Sequence, residues 1–303
     1  MSWKANLVRI MTGIMKYDRK MAQKLTSPVR GPGAFVTDDF TKKVRVKTWD
    51  ISGFRGVTIN GSYPKNLHIL MLPGGYYTLE AEPRHREIAE RFALRDHMRV
   101  SVLEYPLTPE YSATDTHHVL LEAYERLVEE YPEDRFFLIG DSSGGGLALA
   151  FLQQLRDMGT LPMPVRTAVV SPWLDISLSN PMIKIARKTD RILPVEELQV
   201  VGEHYRGSLH SEDPLVSPIY GDWNHLGPVL IFAGTEEIMT PDCELLMERA
   251  KTLEGTELIF KKADKMIHDW ILLRIKEADV TLDLIAAFFL EILEEKKETT
   301  QRI

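Results

Sequence analysis

One cysteine, Cys243, is all that 303 residues contain, so the chain can form neither an internal disulfide nor a thiolate metal cluster, and it fits a reducing compartment. No apolar run approaches the ~20 residues that a bilayer crossing needs. The run 284–290 near the end of the sequence stops after seven residues at Glu291. A secretory leader with an unbroken apolar core is missing too, because Lys4, Arg9 and Lys16 interrupt the opening segment. Basic excess is absent: 37 Lys and Arg stand against 44 Asp and Glu, a net charge of −7, which makes a poor nucleic-acid binder. There is no internal repeat and no low-complexity tract. These absences exclude a cystine scaffold, a zinc finger, a membrane span and a disordered tail, and the expected location is cytoplasmic. What remains is 44% hydrophobic and 27% charged, ample for a large core without metal or disulfide staples.

Trp3, Leu7, Ile10, Met11 and Ile14 recur at helical spacing. Such a stripe fits a membrane-surface helix or an amphipathic helix docked on its own protein, and docking is the expectation. A Pro/Gly-rich loop at 27–33 follows, then the alternating segment 43–50, which reads as a half-buried strand. Short apolar runs come next at 67–72, 100–103, 136–139, 168–170, 229–232 and 258–260. Between them lie helical patterns at 83–96, 116–130, 144–158, 241–253 and 278–297. That alternation predicts an α/β fold with a mostly parallel sheet and helices on both faces. Residues 176–211 break the rhythm, and read as a helical insertion at the carboxyl edge of the sheet, where active sites of open α/β sheets lie.

The sharpest local signal is Gly140-Asp141-Ser142-Ser143-Gly144-Gly145-Gly146, between the strand RFFLIG and the helix that follows. G-x-S-x-G at a strand-to-helix turn is a nucleophile elbow, with glycines where side chains would strike the flanking elements. A phosphate-cradling loop would need a Lys-Ser/Thr pair or G-x-G-x-x-G, and neither is present. A serine needs a base and the base an orienting acid, in the chain order Ser, Asp/Glu, His. Of nine histidines, order and topology select His268, in a loop before the last helix. Glu236, Glu237 and Asp242 follow the preceding strand and are the candidate acids. Oxyanion donors are expected from the N–H of Ser143 and from the turn Leu72-Pro73-Gly74-Gly75-Tyr76-Tyr77.

Together these motifs resemble the hormone-sensitive lipase-like family of α/β hydrolases, the bacterial carboxylesterase type, over about residues 70 to 270. The elbow is similar to G-D-S-[AS]-G-G, Tyr105-Pro106-Leu107-Thr108-Pro109-Glu110 to Y-R-L-A-P-E, and Asp213-Pro214-Leu215-Val216-Ser217-Pro218 to D-P-L-x-S-P. Gly234-Thr235-Glu236-Glu237 falls on G-x-x-[DE], which implies Glu237 as the acid. The oxyanion motif departs: Leu72 replaces a histidine that braces the loop, and Pro73 the first glycine, leaving Gly74 and Gly75 as donors. His268 is followed by Asp269-Trp270 where Gly-Phe is usual.

The resemblance implies an α/β-hydrolase core (31–175 and 212–303) under a helical cap (1–30 and 176–211). It implies hydrolysis of small, short-acyl esters through an acyl-enzyme, with no cofactor or metal. Tyr76, Tyr77, Trp173 and Trp270 are candidates to line the pocket. A histidine base predicts activity rising through about pH 6–7. An amide or formamide hydrolase with the same triad, and a disarmed ligand-binding member of the fold, are the alternatives; the second usually lacks the histidine that is present here. The region around 258–260 and the last helix could support a homodimer.

Overall fold

Strands β3 (Leu67–Leu72), β4 (Arg99–Leu103), β5 (Arg135–Asp141), β6 (Arg166–Val170), β7 (Gly227–Glu236) and β8 (Thr256–Ile267) stand where the short apolar runs predict them. Two more, β1 (Arg45–Ile51) and β2 (Phe54–Asn60), complete an eight-stranded sheet of order β1-β2-β4-β3-β5-β6-β7-β8. The pairs β1/β2 and β2/β4 are antiparallel and the rest parallel. The computed structural model describes residues 1–36, 39–62 and 64–293.

Strand β2 escapes a reading by alternation because Gly56 interrupts it. The glycine is required: a Cβ there would lie 2.2 Å from the ring of Trp49 on β1. A two-residue turn joins the pair, with Ser52 and Gly53 both at positive φ, as tight hairpins demand.

Period-2 alternation sends successive side chains of the central strands to opposite faces. Leu70, Leu72 and Leu138 face one core with α4 (Ala113–Glu130), α5 (Ser142–Met158) and α8 (Thr240–Arg249). Ile69, Met71, Phe137 and Ile139 face the other, with α3 (Pro83–Arg95) and α9 (Lys276–Leu290). Each fully buried apolar side chain contributes about 2 kcal/mol, so the sheet is held from both sides. The expected last helix, 278–297, is seen to Leu290. Its residues 294–297 lie outside the described range.

The insertion 176–211 holds α6 (Ile183–Ala186) and α7 (Val195–Arg206), with no strand of its own. The chain opens with a helical hairpin, α1 (Trp3–Ile14) and α2 (Tyr17–Thr26), and α2 packs against α7. The stripe of α1 is not docked as expected. Ala5 is buried, with Val8 and Thr12 on the protein side, while Trp3, Leu7, Ile10, Met11 and Ile14 are 45–74% exposed. The small face of the helix docks and the large apolar face looks outward. Ser2 holds one end, its hydroxyl 2.7 Å from Glu277, and Arg9 reaches Glu236 at 2.9 Å.

Candidate active site

The turn between β5 and α5 sits at the carboxyl end of the sheet, beside β3 and β6. Ser142 opens α5 at φ +50°, a conformation that costs a non-glycine residue about 1–3 kcal/mol. Packing enforces it. A Cβ on Gly140 would lie 2.3 Å from the Gly144 carbonyl oxygen, and one on Gly144 2.0 Å from that of Leu72. The strained turn projects the Ser142 hydroxyl from the sheet edge.

His268 lies just past β8. Its Nε2 is 2.8 Å from Ser142 Oγ and its Nδ1 2.6 Å from Glu237 Oε2. Both side chains are buried, as is Ser142. Of the three candidate acids, Glu236 turns to Arg9, and Asp242 accepts from the Asn180 amide at 2.8 Å, which leaves Glu237. The other oxygen of Glu237 accepts from the Ser171 hydroxyl at 2.9 Å and from the Gly234 N–H. With Nδ1–H donating to Glu237, Nε2 presents a lone pair to the serine hydroxyl.

The surroundings of His268 are more acidic than a triad alone. Burial pulls its pKa down, but the Asp269 carboxylate 3.5 Å from Nε2, the bond to Glu237 and the charge of Asp190 outweigh burial, and it is lifted to about 9. Asp269 itself is pushed well above the carboxylate range by its own burial, against the pull of His268. The direction of this shift is upward from the pH 6–7 expected of an ordinary histidine base.

Asp190 belongs to the insertion. Desolvation pushes its carboxyl up to about 6, while it accepts N–H bonds from Ile192, Leu193 and Ile238 at 2.8–3.0 Å. The last of these ties the insertion to the residue after Glu237. A lone Asp in a helical insertion carries no sequence signal for that role, and neither does Ser171.

The candidate oxyanion turn lies against the elbow. Gly74 N–H donates to Asp141 Oδ2, and Gly75 and Tyr77 N–H to Ser143 Oγ, each at 3.1 Å. A Cβ on Gly74 would come within 3.0 Å of Ser142 Cβ. The brace lost at Leu72 is replaced from a distance. His85 of α3 is buried, accepts the Glu82 N–H at Nδ1 (2.9 Å) and so donates from Nε2 to Asp141 Oδ2 at 3.1 Å. Asp141 thus links His85 to Gly74. Tyr105 adds a second strut, its hydroxyl donating to the Pro73 carbonyl at 2.6 Å. As the first residue of α5, Ser142 leaves the next N–H, that of Ser143, in the turn whose donors have no intrahelical acceptor.

A cavity of about 360 Å³ opens onto Ser142 and His268. Gly74, Gly75, Tyr76 and Asp269 form its floor, and Met11, Met15, Tyr17 and Met21 of the α1–α2 hairpin, with Ile192, line the opposite side. Of the four aromatic candidates, Tyr76 alone lines it. Tyr77 is buried, stacked on Tyr205 of α7 with ring centroids 3.6 Å apart. Trp173 is fully buried, its indole N–H bonded to the Asp175 carbonyl. Trp270 packs under α9 with its N–H on Thr281. These three are core: each ring's N–H or face is satisfied by protein.

A profile of the α/β-hydrolase fold matches residues 69–272. The chain belongs to the α/β-hydrolase family. An acetyl-hydrolase of Streptomyces hygroscopicus is 34% identical over 203 residues, 67% of each chain. An esterase of Acinetobacter venetianus is 30% identical over 210 residues, 69% of each. Among solved structures, an esterase from the bacterial hormone-sensitive lipase family superposes with a TM-score of 0.77 at 25% identity, covering 91% of this chain and 97% of its own. An esterase/lipase from an uncultured bacterium gives 0.75 at 25% identity, over 91% and 98%. For an α/β hydrolase the departures at Leu72-Pro73 and Asp269-Trp270 are local, both beside the cavity.

Proposed function

We propose that this α/β hydrolase is a serine carboxylesterase acting on small, short-acyl esters. The observation that carries the reading is the unbroken chain Ser142 Oγ–His268 Nε2 at 2.8 Å and His268 Nδ1–Glu237 Oε2 at 2.6 Å. Ser142 attacks the ester carbonyl as its proton passes to His268. Glu237 holds the imidazole tautomer and stabilises the imidazolium. The tetrahedral oxyanion draws on the N–H groups of Gly74, Gly75 and Ser143, each such donor contributing about 3 kcal/mol. As a charged acceptor it competes with Asp141 and Ser143 Oγ for the two glycine N–H groups. Collapse expels the alcohol, which takes the proton from His268. Water then attacks the acyl-enzyme, gives a proton to His268, and Ser142 recovers it as the acid leaves.

Residues 1–30 and 176–211 act as the cap, since Met11, Met15, Tyr17, Met21 and Ile192 roof the cavity. Its modest volume and the naming of relatives as acetyl-hydrolase and esterase support short acyl groups. The test is a fluorophosphonate probe, which needs no knowledge of the substrate. A single adduct on Ser142, lost in His268→Ala, is expected. A folded protein that takes no adduct overturns the reading.

A further inference from the structure

The helix α1 is mounted with its apolar face outward. Trp3, Leu7, Ile10 and Ile14 follow one another at steps of three and four residues, so they form one ridge along the helix. Trp3 and Ile14, at its two ends, are more than 70% exposed. Soluble proteins turn such a ridge inward. The surrounding charge is equally one-sided. Residues 1–24 carry six basic side chains and one acidic one, in a chain whose net charge is −7. Arg9 is spent on Glu236, while Lys4, Lys16, Arg19, Lys20 and Lys24 are exposed. The apolar strip continues past Met1 to Val280 and Leu284 of α9, in a groove whose charged lining is Lys261, Lys262 and Lys276 beside Asp264 and Glu277.

We infer that this ridge is a lipid-docking surface, seated in the interface of an anionic phospholipid bilayer, with the neighbouring lysines on the headgroups. An exposed apolar ridge with Trp at one end and a basic border is the make-up of helices that lie in the interfacial plane. Each lysine near an anionic surface adds about 1 kcal/mol. A second copy fits less well. A twofold interface centred on the ridge would set each basic border against itself, and one helix face offers far less than the roughly 800 Å² per partner of a stable pair. The position also has a use, which rests on the esterase reading: Met11 and Met15 both border the ridge and line the cavity over Ser142. A lipid-dissolved ester thus has a short apolar path from the bilayer to the nucleophile. The substrate class this adds is esters that partition into membranes.

The experiment is flotation of the full chain with phosphatidylcholine vesicles, plain or containing about 30% phosphatidylglycerol. The wild type floats with the anionic vesicles. The triple change Leu7→Gln, Ile10→Gln, Ile14→Gln lowers partitioning about 100-fold and leaves turnover of a water-soluble acetate ester unchanged. Lys4→Gln with Lys16→Gln and Lys20→Gln brings anionic-vesicle binding down toward the plain-vesicle level. Three results overturn the inference: no partitioning, equal partitioning of the wild type and the triple Gln variant, or a lipid-free dimer that the triple Gln variant makes monomeric. Failure of the esterase reading is separate, since it appears as an unlabelled Ser142 whatever the vesicles do.

Discussion

Two structures face each other across the cavity and are built on opposite principles. The β5–α5 turn is buried on every side, and its glycines are in contact so close that a methyl group would overlap backbone. The α1–α2 hairpin opposite it is half exposed, held by the Ser2–Glu277 and Arg9–Glu236 contacts, by α7 and by the buried side chains of Ala5, Met21 and Leu25. Chemistry demands that reacting atoms stay in place to a fraction of an ångström, which only dense packing ensures. Admission of substrate demands a wall that can give, and sparse contacts leave one. The difference predicts where substitutions act on rate and where on substrate choice.

On the rigid side, Glu237→Gln should have the largest effect. The amide keeps the shape but can offer an N–H to Nδ1, which selects the wrong tautomer, so kcat falls by about 10⁴-fold with KM little changed. Steady-state kinetics on a soluble acetate ester reads both. His85→Ala tests the brace one layer further out. Asp141 loses a donor and Gly74 its fixed partner, so kcat should fall by about tenfold while KM holds. A fall in melting temperature with unchanged kcat would make His85 a packing residue only.

The acidic surroundings of His268 give a pH prediction of definite sign. Only the unprotonated imidazole accepts the Ser142 proton. A pKa lifted to about 9 therefore moves the rising limb of kcat/KM above the ordinary histidine range, toward pH 9. Asp269→Asn removes the carboxylate beside Nε2, which lifts His268 most, so the limb should shift back to lower pH. A wild-type limb centred near 6.5 would show that Asp269 is neutral while His268 titrates.

The candidate catalytic centre is largely legible in the sequence because its signal is local or ordered. Gly140 and Gly144 flank Ser142 for steric reasons that spacing expresses, and chain order leaves His268. Selecting Glu237 from three acids needed the family resemblance; in the structure Arg9 and Asn180 occupy the other two. The braces His85, Ser171 and Asp190 were not legible, since each meets the site through tertiary contact alone. Aromatics misled for the same reason: Tyr77 and Trp270 adjoin motif residues in sequence and Trp173 follows a central strand, but all three turn into the core. The ridge of α1 was visible as a period, yet a period does not say which side of a helix the protein takes.

Met15→Ala probes the yielding side and should have the smallest effect. Met15 ends α1, is about half exposed and lines the cavity. Removing a flexible side chain that solvent already wets leaves no closed void, so stability should change by less than about 0.5 kcal/mol. The acetate ester reaches only the floor beside Tyr76, so its kcat/KM should be unaltered. A hexanoate ester needs an apolar roof for its longer chain. Each buried methylene contributes about 0.8 kcal/mol, and the loss of part of that contact lowers kcat/KM by a few-fold. The ratio of the two esters is the informative quantity, because a general loosening of the protein would lower both. A ratio that does not move would assign acyl-chain contact to Met21 and Ile192 deeper in the roof, and leave Met15 to the entrance alone.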